Sequence, residues 1–190
     1  MESWYNRSPE GFVFAVKATR SITHFKQFQQ TDQLIGDFYY VIKEGLKEKL
    51  GCVLFQLPPR TAYTAERLER ITNSLNPDFD NVLEFRHLTW WHPEVYSSLA
   101  KKGITFFGMS HPELPEDIIQ NSPVLYYRFH GVPELYKSEY EKSKLEDFIQ
   151  KVDSEGLTRH AFIYFNNDIG GSAIKNAKEM LEIINRIESK

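Results

Sequence analysis

The stretch NVLEFRHLTWW, residues 81–91, decides how this chain is read. Val82, Leu83 and Phe85 give it the apolar character of a buried strand. Glu84, Arg86 and His87 place a carboxylate, a guanidinium and an imidazole within or just after the same run. Ionised groups are costly to desolvate unless they are paired. A strand carrying all three therefore predicts either an internal ion pair or a functional site at the strand's end.

Working outward, other short apolar runs share this form: FVFAVKA (12–18), CVLFQL (52–57), ITFFGMS (104–110), VLYYRFHG (124–131) and HAFIYFNN (160–167). Val, Phe, Tyr and Ile dominate them, as strands favour. Charged stretches with helical spacing lie between them. In residues 32–50, Leu34, Ile35, Phe38, Val41, Ile42 and Leu46 fall at three- and four-residue steps and predict one apolar helix face. Residues 64–75 predict a helix capped by Thr64, and residues 92–103 one that ends at a glycine. Helices are also expected over 143–156 and 171–187, whereas 130–144 reads as a long loop suited to function.

Alternation of strand and helix implies a parallel sheet covered by helices. The runs begin apolar, as two-sided burial requires, and turn polar at their C-terminal ends: Lys17, Gln56, Arg86 with His87, Ser110, Arg128 with His130, and Asn166 with Asn167. That edge carries the site in barrels and open α/β sheets. Residues at i and i+2 share a face. Glu84 therefore points with Arg86, Tyr126 with Arg128 and His130, Tyr164 with Asn166, and Leu54 with Gln56. The expected partner of Glu84 is Arg86 or Arg128.

Length and composition fit one globular domain over residues 1–190, with 41% apolar and 14% aromatic residues. The formal net charge of −3 gives no global basic field for nucleic acid. A single cysteine, Cys52, sits in an apolar run and cannot form an internal disulfide, which favours a reducing compartment. No apolar run is long enough to span a bilayer and the N-terminus does not read as a signal peptide, so a cytoplasmic protein is expected.

FAVKATRSITH (14–24), LFQLPP (54–59), LEFRHLTWW (83–91), YYRFHG (126–131) and YFNNDIGGSAIKNAKEML (164–181) resemble, in order, the YecE-like family, domain-of-unknown-function family seventy-two. The resemblance covers essentially the whole chain. It implies a TIM-type (β/α) barrel and carries no assigned activity. Relative to that family the first two βα units have no counterpart, so an incomplete barrel of about six of eight parallel strands is expected. Ser110 is followed by His111 where many relatives carry Ser-Asp, and Leu88 stands where proline is common. The strands around Phe14 and Ile163 would then be edges, which either pair with another chain, as in a homo-oligomer, or leave the fold distorted or marginal.

The candidate proton-transfer groups are Glu84, His130 and Lys17, the last as base, nucleophile or charge anchor. Arg86, Arg128 and Arg20 would hold negative charge, with His24 beside Arg20 in the same loop. His87, Gln56, Asn166 and Asn167 complete the set as substrate contacts. Each has a plainer reading: Glu84 with an arginine as a space-filling ion pair, His87 as a loop cap, Asp168 or Ser172 as the cap of the last helix. Glu84, His87, His130 and Asp168 are ligand types for a divalent metal, but no short ligand spacing occurs. Trp90, Trp91 and Tyr136 would serve equally as an aromatic wall or as core. No P-loop, dinucleotide fingerprint or nucleophile elbow is present. Three readings follow. One is an acid–base enzyme (hydrolase, lyase or isomerase) acting on a small anionic or sugar-like compound. The second is a non-enzymatic binder of a phosphorylated ligand or nucleic acid. The third is an inactive shortened barrel.

Overall fold

The apolar runs form strands that pair in parallel, and the charged stretches between them form helices. The computed structural model of the chain describes residues 1–189. In order, the elements are α1 (Glu2–Arg7), β1 (Phe14–Lys17), α2 (Asp32–Leu46), β2 (Leu50–Gln56), α3 (Ala65–Ser74), β3 (Asn81–Glu84), α4 (Pro93–Lys101), β4 (Thr105–Phe106), β5 (Gly108–Ser110), β6 (Val124–Phe129), α5 (Lys142–Glu155), β7 (His160–Phe165) and α6 (Ser172–Glu188). The result is a mixed α/β fold with two sheets, ordered β1-β2-β3-β4 and β5-β6-β7. The β1/β2, β2/β3, β5/β6 and β6/β7 pairs are all parallel. Contacts divide the chain into two compact units, Met1–Thr105 and Phe106–Lys190.

The run 104–110 reads as one strand in the sequence but is divided: β4 belongs to the first sheet and β5 to the second, with Phe107 between them. At the break the chain approaches β6 so closely that a Cβ on Gly108 would lie 2.6 Å from the Tyr127 ring.

In the first unit, Thr64 caps α3 as expected, its hydroxyl accepting from the Arg67 amide at 3.1 Å. Pro93 opens α4, and Gly103 beyond its end takes φ +66°. The core face of α2 is Ile35, Tyr39, Ile42 and Leu46, while Val41 is exposed. The expected stripe therefore erred by including Val41 and omitting Tyr39. A buried tyrosine needs a partner for its hydroxyl. Here it donates to Asn81 Oδ1 at 2.5 Å while the ring stacks on Phe79. Burial pushes this phenol well above its usual range. Helix α2 also stops at Leu46 rather than continuing to residue 50, because Lys47 adopts a positive φ and a short 3-10 turn leads directly into β2. Cys52 is buried, with its thiol pushed up to about 12 by burial and by the nearby Asp80 charge.

In the second unit, β6 follows the parity read from its sequence. Leu125, Tyr127 and Phe129 pack with Leu145, Phe148 and Ile149 of α5 and with Met180 and Ile183 of α6. Tyr126, Arg128 and His130 occupy the other face. The segment after β6 is fixed in place. Gly131 takes φ +95°, and a Cβ there would lie 2.8 Å from the Glu134 carbonyl oxygen, so the tight turn requires glycine. The buried Tyr140 hydroxyl accepts from the Gly131 amide and donates to Ser110 Oγ, both at 2.8 Å. Replacing Tyr140 with phenylalanine would strand the buried Gly131 N–H. This is expected to cost about 1–3 kcal/mol, or roughly 5 °C in a thermal melt. An unchanged midpoint would show that the hydroxyl does not hold this segment.

Candidate functional site

Three consecutive strand ends of the first sheet build one polar group. The register sets Gln56 opposite Glu84 and Lys17 opposite Leu54, so β1, β2 and β3 end along a common edge. Glu84 is fully buried, and its Oε1 accepts from Gln56 Nε2 at 2.6 Å and from Arg86 Nε at 2.5 Å. Gln56 Oε1 in turn accepts from Lys17 Nζ at 2.5 Å. Chemistry fixes the direction of this relay. A carboxylate only accepts and an ammonium only donates, so the amide must present its nitrogen to Glu84 and its oxygen to Lys17. The buried end of the relay is Glu84. The outer end is Lys17, which is exposed, and Arg86, paired with Glu84, is part-exposed. Of the two arginines read as partners for Glu84, Arg86 makes the pair within this unit.

The loops after the strands add to the group. Arg20 and His24 follow β1, and Arg60 follows β2 beyond Pro58 and Pro59. His24 sits in a short π-helical turn, with its Nδ1 2.8 Å from Thr23 Oγ1. Burial, and then the charges of Arg20, Lys17, Arg86 and Arg60, hold its pKa below the usual histidine value. All four cations are thus near enough for His24 to feel their field. His87 lies at the same edge, but its Nδ1 accepts from the Thr89 amide and caps the turn that follows β3. This matches its plainer reading. Trp90 is fully buried, donating from Nε1 to the Thr61 carbonyl at 2.7 Å and stacking on Phe85 at 4.1 Å. It is core rather than an aromatic wall.

The second unit carries its own polar face. The Arg128 guanidinium lies over the rings of Phe107, Tyr126 and Tyr164 at 5.1, 6.0 and 5.9 Å, and donates to the Tyr126 hydroxyl at 3.4 Å. His130 is buried, with Nδ1 3.4 Å from Asn166 Nδ2 and its ring edge-on to His111. Asn166 and His130 therefore meet just beyond the ends of the paired strands β6 and β7. Asn167 faces the other way. It is fully buried and donates to the Ser138 carbonyl and to Asn176 Oδ1, both at 3.0 Å, so its amide nitrogen is committed to the fold. Ser110 also turns inward, donating to Glu116, which Lys144 holds at 3.0 Å.

Sequence reading missed Arg60. The only signal for it was its position just past a strand end, behind two prolines. Among the described residues, no three or more His, Cys, Asp or Glu side chains gather as a metal site. No helix among them is long and apolar enough to cross a membrane.

A parallel α/β fold with its ionic groups at the C-terminal strand edge defines the class, and comparison with known proteins gives the family. The chain belongs to the family described as Protein of unknown function DUF72, which matches residues 1–190. It is similar to YunF, a UPF0759 protein of Bacillus subtilis, at 27% identity, over 96% of this chain and 77% of that protein. Among solved structures, a DUF72 family protein of Thermotoga maritima matches with a TM-score of 0.84 at 24% identity, over 95% of this chain and 76% of that one. One from Enterococcus faecalis matches with a TM-score of 0.82 at 18% identity, over 97% and 78%. At these identities the structural likeness speaks to the fold.

Proposed function

We propose that this is an acid–base enzyme of the incomplete TIM-type (β/α) barrel class that the sequence resemblance implies, acting on a small anionic or polyhydroxylated compound at its strand C-terminal ends. The observation that carries this reading is the relay from exposed Lys17 through Gln56 to buried Glu84 and on to Arg86. Lys17 and Arg86 face the ligand, and Glu84 supplies the buried charge that orients them and takes part in proton transfer. In the second unit, His130 beside Asn166, with Arg128 over its rings, is a further acid–base and anion-binding set. A non-enzymatic binder of a phosphorylated ligand is the second reading. It is favoured by the four cations, Arg20, Lys17, Arg86 and Arg60, whose charges bear on His24.

A metabolite screen of the wild type against Glu84→Gln tests the proposal, with thermal melts to establish that both are folded. Turnover in the wild type should fall at least a hundredfold in the variant. Equal turnover in both would remove Glu84 from the mechanism. Saturable binding without turnover would favour the binder.

A further inference from the structure

We propose that Lys17, Arg20, Arg60 and Arg86 form a cradle for a tetrahedral dianion, so that the ligand of this site is a small phosphorylated compound. The inference rests on the site proposed above and specifies its ligand class. Each of the three consecutive parallel strands delivers at least one cation to the shared edge: Lys17 and Arg20 from β1 and its loop, Arg60 from the turn after β2, Arg86 from just beyond β3. Between residues 17–24, 56–60 and 84–87 stand four basic side chains and one acidic one, in a chain whose formal net charge is −3.

That single carboxylate, on Glu84, is fully buried and turned to Gln56 and Arg86, whereas Lys17, Arg20 and Arg60 are exposed. An incoming anion therefore meets guanidinium and ammonium donors with the neutralising charge behind them. Arginine forks match the oxygens of phosphate, and several cations at one edge suit a doubly charged group better than a carboxylate.

His24 supplies an internal gauge of the field. The charges that face it are Lys17, Arg20, Arg60 and Arg86, and together with burial they disfavour its protonation. A bound dianion cancels that field and raises the affinity of His24 for a proton. The complex then holds more protons than the free protein, so binding must tighten as pH falls through the ordinary histidine range. Sulfate is the cleaner probe, because it stays dianionic over that range whereas phosphate itself titrates.

Calorimetric titration of the full chain with sulfate, inorganic phosphate and acetate tests this at pH 6 and pH 8. Sulfate and phosphate should bind saturably, with acetate at least about tenfold weaker. Arg60→Gln should weaken sulfate about tenfold. Lys43→Gln, near the C-terminal end of α2 and so at the opposite edge of the sheet, should leave binding unchanged. Sulfate should bind more tightly at pH 6 than at pH 8, and His24→Gln should flatten that difference. Absence of saturable sulfate binding, or equal losses in Arg60→Gln and Lys43→Gln, would overturn the cradle. A short single-stranded oligonucleotide that displaces sulfate with a steep, multi-charge salt dependence would overturn the small-molecule assignment. Sulfate binding without any turnover in the metabolite screen would support the cradle while removing the enzymatic reading. Glu84-dependent turnover of an unphosphorylated compound without sulfate binding would do the reverse.

Discussion

Replacing Glu84 with alanine is expected to lower the unfolding free energy by about 3 kcal/mol and the melting temperature by roughly 10 °C. The carboxylate is fully buried and accepts from both Arg86 and Gln56. Removing it strands a guanidinium and an amide that folding has already desolvated. Breaking a buried pair in this way costs about 3–5 kcal/mol. The lower end applies because the Arg86 side chain is 30% exposed, so water recovers part of the loss. Glu84→Gln keeps an acceptor oxygen of the same reach and should lose about half as much. That difference is what makes Glu84→Gln the useful variant for activity: it removes the charge while largely sparing the scaffold. Chemical denaturation of the wild type and both variants would measure it. A midpoint in Glu84→Ala equal to the wild type would mean that the pair contributes nothing net to the fold.

Trp90→Ala should be the more damaging change, at about 3–5 kcal/mol. The indole is fully excluded from solvent, stacked on Phe85 and edge-on to Tyr63, and it provides the donor for the Thr61 carbonyl. Alanine would leave a large void and an unsatisfied carbonyl together. Trp90→Phe would restore most of the packing but not the N–H, and should recover more than half of the loss. Urea midpoints would separate the two contributions. A phenylalanine variant as unstable as the alanine one would assign the effect to the hydrogen bond instead of the stack.

The residues flanking Trp90 show what sequence could reveal. The Glu84–Arg86 pair was legible because alternation on a strand forces i and i+2 onto one face. Gln56 was legible because it closes a neighbouring apolar run. The same rule set Tyr126, Arg128 and His130 on one face and turned Tyr127 and Phe129 to the other, towards α5 and α6. Asn166 and Asn167 lie just past the end of β7, where strand alternation no longer applies. Residue type alone made the two look equivalent, and only the contacts of Asn167 with Ser138 and Asn176 reveal a committed amide.

Other features carried no period to read. Arg60 lies beyond a Pro-Pro turn whose direction is set by tertiary packing. The division of residues 104–110 between two sheets is hidden in an unbroken apolar run. The core face of α2 was misjudged because hydrophobicity alone ranks valine above tyrosine, whereas Tyr39 lies inward with its hydroxyl on Asn81 and Val41 is exposed.

The amide of Gln56 joins a lysine on one strand to a glutamate two strands away, with both of its ends already engaged. Positions 17, 56 and 84, far apart along the polypeptide, are therefore not free to diverge separately. A change at any one of them leaves the others with mismatched hydrogen-bonding polarity, so in the lineage of this protein the three should drift as a set, across the sheet instead of along the chain.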